Sequence, residues 1–155
     1  DQLSQQILGE AAAIVLSPGP GLPSEKKGLN DFLNAFVGQK PILGVCLGMQ
    51  ALVEYLGGSL MNQTQVKHGV QESVAILNHD GLFRDLSNQI DVGLYHSWMV
   101  ACPESWITAK SLTGVPMAFE RPDLRLYGVQ FHPESVMTPF GKQILHNFIQ
   151  IAQHA

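Results

Sequence analysis

Cys46 sits in Gly44-Val45-Cys46-Leu47-Gly48, directly after the apolar run "PILGV" and directly before the helical pattern "LGMQALVEYL". The string G-x-C-x-G has the form of a nucleophile elbow with sulfur in place of oxygen. At such a turn small residues flank the nucleophile because strand and helix approach closely. The backbone N–H of Leu47 would point at a reacting carbonyl as an oxyanion donor. The positive end of the following helix would favour the thiolate. A lone buried cysteine is otherwise just a small hydrophobe, so the reading depends on a base. His132 follows the apolar run "LYGVQF", and Glu134 comes two residues later in "FHPES". A histidine at a strand end with a nearby carboxylate supplies a Cys–His pair oriented by a third group. Taken alone, His132 would only cap a strand and Glu134 would be a solvated loop charge.

Two further stretches could serve a substrate. "LSPGPG", Leu16 to Gly21, is a stiff loop whose backbone can be approached closely. It lacks the glycine and lysine spacing of a phosphate loop. In "YHSWMV", His96 and Ser97 interrupt an apolar strand, offering either a strand edge for a polar ligand or a satisfied buried histidine. Cys102 reads as structural, and His68, His79, His146 and His154 as surface or structural residues.

The elements that must position these residues follow from pattern. "AAAIVLS" and "PILGVC" are short unalternating apolar runs, as in strands covered on both faces. "SEKKGLNDFLNAFVG" has helical spacing, with Ser24 as N-cap and Gly38 as stop. "SLMNQ", "QESVAIL", "QIDVGLYHSWMVA", "SWITAKSL", "VPMAFE" and "RLYGVQF" read as strands, and "TPFGKQILHNFIQIAQHA" as a closing helix. The expectation is an α/β fold of three layers: a mostly parallel central sheet with helices on both faces, flavodoxin-like.

At 155 residues the chain suffices for one domain with a proper core. A net charge of −4 without any basic run argues against a nucleic-acid surface. No apolar stretch reaches the roughly 18 residues of a membrane helix. The two cysteines have no metal-type spacing and fit a reducing compartment. A cytoplasmic protein without metal or cofactor is expected.

"LSPGPGLPSE", "PILGVCLGMQAL", "YHS" and "GVQFHPES", in this order, resemble the class I (triad) glutamine amidotransferases over nearly the whole chain. Within that family the first and third stretches resemble the subunits that serve chorismate-using synthases: anthranilate synthase component II and the aminodeoxychorismate synthase glutamine subunit. The resemblance implies Cys46 as nucleophile toward the amide of L-glutamine, His132 as general base and acid, and Glu134 as its orienter. It implies that Gly19, Pro20 and Gly21 line the glutamine site, with an N–H of this loop joining that of Leu47 in the oxyanion hole. Gln50 and the backbone of Ser97 and Trp98 would contact the substrate. Ammonia would pass to a component I synthase subunit in a heteromer. Alternatives are a non-catalytic binding subunit, an amidotransferase serving a different synthase, and another thiol hydrolase. Residues 1–155 are expected to form one amidotransferase domain lacking the family's first strand and helix. The chain also differs from the family at Val70, where "HGK" is frequent, and at Trp98, where leucine is frequent after "YHS"; Met49 replaces a common histidine.

Overall fold

The computed structural model describes residues 2–154. Helix α1 (Gln2–Glu10) leads into strand β1 (Ile14–Leu16), helix α2 (Leu29–Phe36), strand β2 (Ile42–Val45) and helix α3 (Leu47–Tyr55). Strands β3 (Ser59–Ile76), β4 (Gln89–Ala101), β5 (Ile107–Ser111), β6 (Pro116–Arg121) and β7 (Leu126–Val129) follow, and helix α4 (Gly141–Gln153) closes the order. All seven strands join one sheet in the order β1-β2-β7-β6-β5-β3-β4.

The fold is α/β, but the sheet is mixed where a mostly parallel one was expected. Only β1–β2 and β2–β7 are parallel; the four remaining pairings are antiparallel. The cause lies in the connections. The parallel neighbours β1 and β2 are joined by a helical crossover through α2, whereas the antiparallel neighbours β3–β4, β5–β6 and β6–β7 are joined by connections with no helix longer than a single 3-10 turn.

Side chains alternate across the short strands, so the sheet has a core on each face. Leu43, Val45, Tyr127 and Val129 pack with Ile144 and Phe148 of α4 on one face. Ile42, Leu126 and Phe119 pack with Leu33 of α2 and with Met49, Leu52 and Val53 of α3 on the other. This is the expected three-layer arrangement.

Local departures have identifiable causes. Residue Ser24 lies in a 3-10 turn (Pro23–Glu25) and does not cap α2. Gly28 does, in a left-handed conformation at φ +77°, which delays the helix by four residues. Gly38, at φ +81°, follows its end as expected. Helix α1 lies outside the elements that the apolar pattern predicts. Lys40 Nζ donates to the carbonyls of Gly9 and Ala11, a cation satisfying the orphan acceptors at its C-terminus. "SLMNQ" and "QESVAIL" belong to one strand, β3. Its register against β4 shifts between Asn62 and Lys67 and again between His68 and Val70. The residues between them need no alternation, because the ribbon stands in solvent there. No helix of the described residues is long and apolar enough to cross a membrane.

Candidate active site

Parallel register brings the two key segments together. Strands β2 and β7 are neighbours, with Val45 opposite Val129. The residues just beyond their C-terminal ends are Cys46 and the segment 130–134. The Cys46 N–H donates to Val129 O at 2.8 Å, extending the ladder one residue into the turn.

Cys46 has φ +54° and ψ −105°, a conformation that an L-residue adopts only when its surroundings enforce it. They do so through two glycines. A Cβ on Gly44 would lie 2.4 Å from the Gly48 carbonyl carbon, and one on Gly48 would lie 2.3 Å from Leu16 O. Strand β2, helix α3 and strand β1 therefore touch backbone to backbone around the cysteine. Helix α3 begins at once, with Gln50 N–H donating to Cys46 O at 3.1 Å.

His132 Nδ1 lies 2.5 Å from Glu134 Oε1. That contact makes Nδ1 the protonated nitrogen of the neutral ring and leaves the Nε2 lone pair free. Nε2 is buried and has no hydrogen-bond partner among the described residues. The ring packs edge-on against Tyr95, centroids 4.9 Å apart. The backbone is pinned as well: His132 N–H donates to Gly93 O at 3.0 Å, and Thr138 Oγ1 donates to His132 O at 2.7 Å. Gly93 N–H in turn donates to Thr138 Oγ1 at 2.9 Å, locking the turn after β7 to strand β4.

The cysteine thiol contacts Tyr95 O at 3.9 Å, and Gln130 Nε2 donates to its sulfur at 3.5 Å. Tyr95 thus meets Cys46 through its carbonyl and His132 through its ring. Burial pushes the Cys46 thiol above its ordinary range, and the Glu134 charge adds to this. The Leu47 N–H and the Gln130 amide pull the other way without overcoming burial. The expected helix effect is present but outweighed. The balance favours the protonated sulfur, which gives a neighbouring base a role in any attack by Cys46.

The other predicted residues divide into two sets. Gly19 lies against Leu47, whose Cδ2 a Cβ there would meet at 3.6 Å, so the 19–21 loop crosses the start of α3. Gly21 adopts φ +81°, and a Cβ on it would lie 2.1 Å from Glu25 Oε2. That same oxygen accepts from Leu22 N–H at 3.0 Å and folds the loop down. Pro20 is exposed beside them. Gln50 is buried, and its amide donates to Trp98 O at 3.1 Å and to Gln130 Oε1 at 3.3 Å. It therefore joins β4 to β7 behind the cysteine. Ser97 and Trp98 lie on β4 between this contact and His96, whose Nδ1 is 2.9 Å from Trp98 O. His96 is buried and also meets Gln63 Nε2 at 2.6 Å. The bland reading of a satisfied histidine holds for it.

Sequence reasoning passed over Gln130. The available signal was a polar residue ending an otherwise apolar strand, "LYGVQ". Tyr95, Thr138 and Glu25 had no comparable signal, because their roles rest on contacts far along the chain. Among the described residues no group of three His, Cys, Asp or Glu side chains is placed to hold a metal ion.

Comparison with known proteins gives the chain's family and relatives. Residues 1–152 match the family profile described as glutamine amidotransferase class-I. Anthranilate synthase component 2 of Lactococcus lactis is 41% identical over 145 residues, covering 90% of this chain and 73% of that protein. Aminodeoxychorismate synthase component 2 of Escherichia coli is 41% identical over 141 residues, covering 88% and 74%. A solved structure from Thermoplasma acidophilum, provisionally assigned to a GMP synthase, superposes with a TM-score of 0.86 at 26% identity. That match covers 96% of this chain and 76% of the other.

Proposed function

The chain belongs to the class I glutamine amidotransferase family, and from that premise we propose that it is the glutaminase subunit of a chorismate-aminating synthase, making either anthranilate or 4-amino-4-deoxychorismate. The observation that carries the chemistry is Cys46 held at φ +54° between two tightly packed glycines, with a His132–Glu134 pair on the adjoining strand end. The synthase assignment is supported by relatives near 40% identity that are named for those two activities.

The proposed reaction starts with transfer of the Cys46 proton to His132 Nε2. The thiolate attacks the side-chain amide carbon of L-glutamine. The oxyanion accepts from Leu47 N–H and from an N–H of the Gly19–Pro20–Gly21 loop, donors already in place before charge develops. His132 returns the proton to the departing nitrogen. The C–N bond breaks, ammonia leaves and a γ-glutamyl thioester remains. Water then gives a proton to the same histidine and attacks the thioester carbon. Cys46 leaves as thiolate and is reprotonated by His132, and glutamate departs. Glu134 holds the Nδ1 proton and balances the imidazolium in both halves. Ser97 and Trp98 offer backbone groups to glutamine, and Gln50 steadies the Trp98 carbonyl from behind. Ammonia passes to a chorismate-using component I partner in a heteromer.

Cys46→Ala, assayed with component I, will lose glutamine-dependent synthesis and keep ammonia-dependent synthesis. Retained glutamine-dependent synthesis would sink the proposal. Labelling with a diazo-ketone glutamine analogue is expected to give one adduct, on Cys46, blocked by L-glutamine. A second reading, service to a different synthase, draws on the Thermoplasma acidophilum superposition. Aminated chorismate in the coupled assay decides against it.

A further inference from the structure

Two buried glutamines lie behind the sulfur of Cys46: Gln50 on α3 and Gln130 directly after β7, 4% and 0% exposed. Amides packed this deeply need their hydrogen bonds met. The Trp98 carbonyl on β4 decides which way round both of them stand. A carbonyl oxygen can only accept, so the Gln50 nitrogen faces Trp98 O, at 3.1 Å. The second proton on that nitrogen goes to Gln130 Oε1 at 3.3 Å. With its oxygen occupied, Gln130 turns its nitrogen toward Cys46 Sγ at 3.5 Å. Reversing Gln50 would set its oxygen against the Trp98 carbonyl. Reversing Gln130 would set its nitrogen against that of Gln50. The chain of donors and acceptors from β4 to the sulfur therefore runs in one sense.

The other polar neighbours of the sulfur do not supply the same thing. Its own proton points to Tyr95 O, at 3.9 Å, which suits the neutral thiol. The Glu134 charge also opposes ionisation, while the Leu47 N–H and the Gln130 amide favour it. His132, on the same strand end, is the proposed base. In the reaction proposed above, Leu47 N–H serves the oxyanion of the substrate, so Gln130 is the donor kept for sulfur.

We propose that Gln130 is the donor that holds the Cys46 thiolate, and that Gln50 is a positioning residue acting through it: anchored by the Trp98 carbonyl, Gln50 keeps the Gln130 nitrogen, and not its oxygen, aimed at the sulfur. A thiolate accepts more strongly than a thiol, so a fixed donor favours the form that attacks. A reversed Gln130 would offer its oxygen to the thiol proton and favour the protonated form. The inference deepens the glutaminase reading and rests on it for the use made of the thiolate.

The test follows alkylation of Cys46 by iodoacetamide against pH, with peptide mass mapping to separate it from Cys102. It needs neither glutamine nor a partner, so its failure is distinct from failure of the glutaminase reading, which Cys46→Ala tests. Gln130→Leu should move the profile to higher pH and slow labelling near neutrality about tenfold. Gln50→Met keeps the length and adds no charge. It should move the profile in the same direction and slow labelling about threefold. In the double variant, Gln50→Met should add nothing to Gln130→Leu, because nothing is left to position. An unmoved profile in folded Gln50→Met, or a double variant slower than Gln130→Leu alone, would overturn the proposal. The unsubstituted protein covers the case in which a variant fails to fold. There, a side-chain amide proton of Gln130 should move downfield with the same midpoint as Cys46 alkylation. A Gln130 amide that ignores this titration would overturn the proposal as well.

Discussion

The three parallel strands and the four antiparallel ones contribute different things to the site. Strands β1, β2 and β7 are three or four residues long, and their C-terminal ends carry the groups of the proposed chemistry: the 17–22 loop, Cys46 and the 130–134 segment. The ribbon of β3 and β4 is 18 and 13 residues long and exposes Met61, Val66 and Val70. What it gives the site is mostly backbone. The carbonyls of Gly93, Tyr95 and Trp98 on β4 accept from His132 N–H, the Cys46 thiol and the Gln50 amide. Parallel strands end together, so they can present several side chains at one edge. An antiparallel ribbon running past that edge lends mainly backbone groups, the Gly93 N–H to Thr138 among them. The parallel region should therefore fail by geometry, and the ribbon by loss of support.

The largest effect is expected at the elbow. Gly44→Ala or Gly48→Ala places a methyl group against backbone that cannot move without separating β2, α3 and β1. Overpacking of this kind costs ~1–3 kcal/mol, and glutaminase activity should vanish with it. Denaturant melts of the two variants beside Val70→Ala, on the exposed ribbon, sharpen the contrast. The ribbon variant should stay within about 0.5 kcal/mol of the parent. Equal losses at both places would break the comparison.

Next comes the base. His132→Ala should lower glutamine turnover by roughly 10²–10⁴-fold, the usual contribution of a general acid–base. The fold should be unchanged, because the histidine backbone contacts to Gly93 and Thr138 remain. Gln130→Leu should have a smaller and more specific effect. It removes the side-chain donor to the Cys46 sulfur, and a hydrogen bond to a charged group contributes about 1.5–3 kcal/mol. Alkylation of Cys46 followed against pH should then shift to higher pH, with about tenfold slower labelling near neutrality. An unmoved profile would mean that Gln130 only ties Gln50 to β7.

How far the sequence reveals this arrangement also follows the division. Cys46, His132 and the glycines around them sit in local strings whose strain is local, so their types and spacing betray the elbow and the strand ends. The α/β class follows from apolar runs alternating with helical spacing. The antiparallel course of β5 and β6 does not, because a short connection and a crossover helix differ in what lies between strands, and the strands themselves look alike. The continuity of β3 through "TQVKHG" is hidden for a related reason: an exposed ribbon imposes no hydrophobic period. Gln50 shows the limit for single residues. Its place one turn after Cys46 points toward a substrate, yet whether its amide is free depends on Trp98 and Gln130, which are distant in sequence.

The smallest predicted effect separates a polar residue buried for chemistry from one that burdens the fold. Glu120, in the antiparallel region, has its folded-state pKa raised, chiefly by burial. A group of that kind adds stability below its unfolded pKa of about 4.3 and loses it as pH rises through the folded value. The buried carboxyl therefore weighs against folding increasingly as pH rises above the unfolded value, while at pH 4 it does not. Glu120→Gln keeps the shape, removes the charge and can still accept the Leu82 N–H. Its melting temperature should exceed that of the parent at pH 7 to 8, and the gain should shrink to nothing near pH 4. Gln130→Leu, tested the same way in the parallel region, should give no pH-dependent gain, since an amide does not titrate there. A Glu120→Gln gain that persisted at pH 4 would place the cost in packing and remove charge burial from the account.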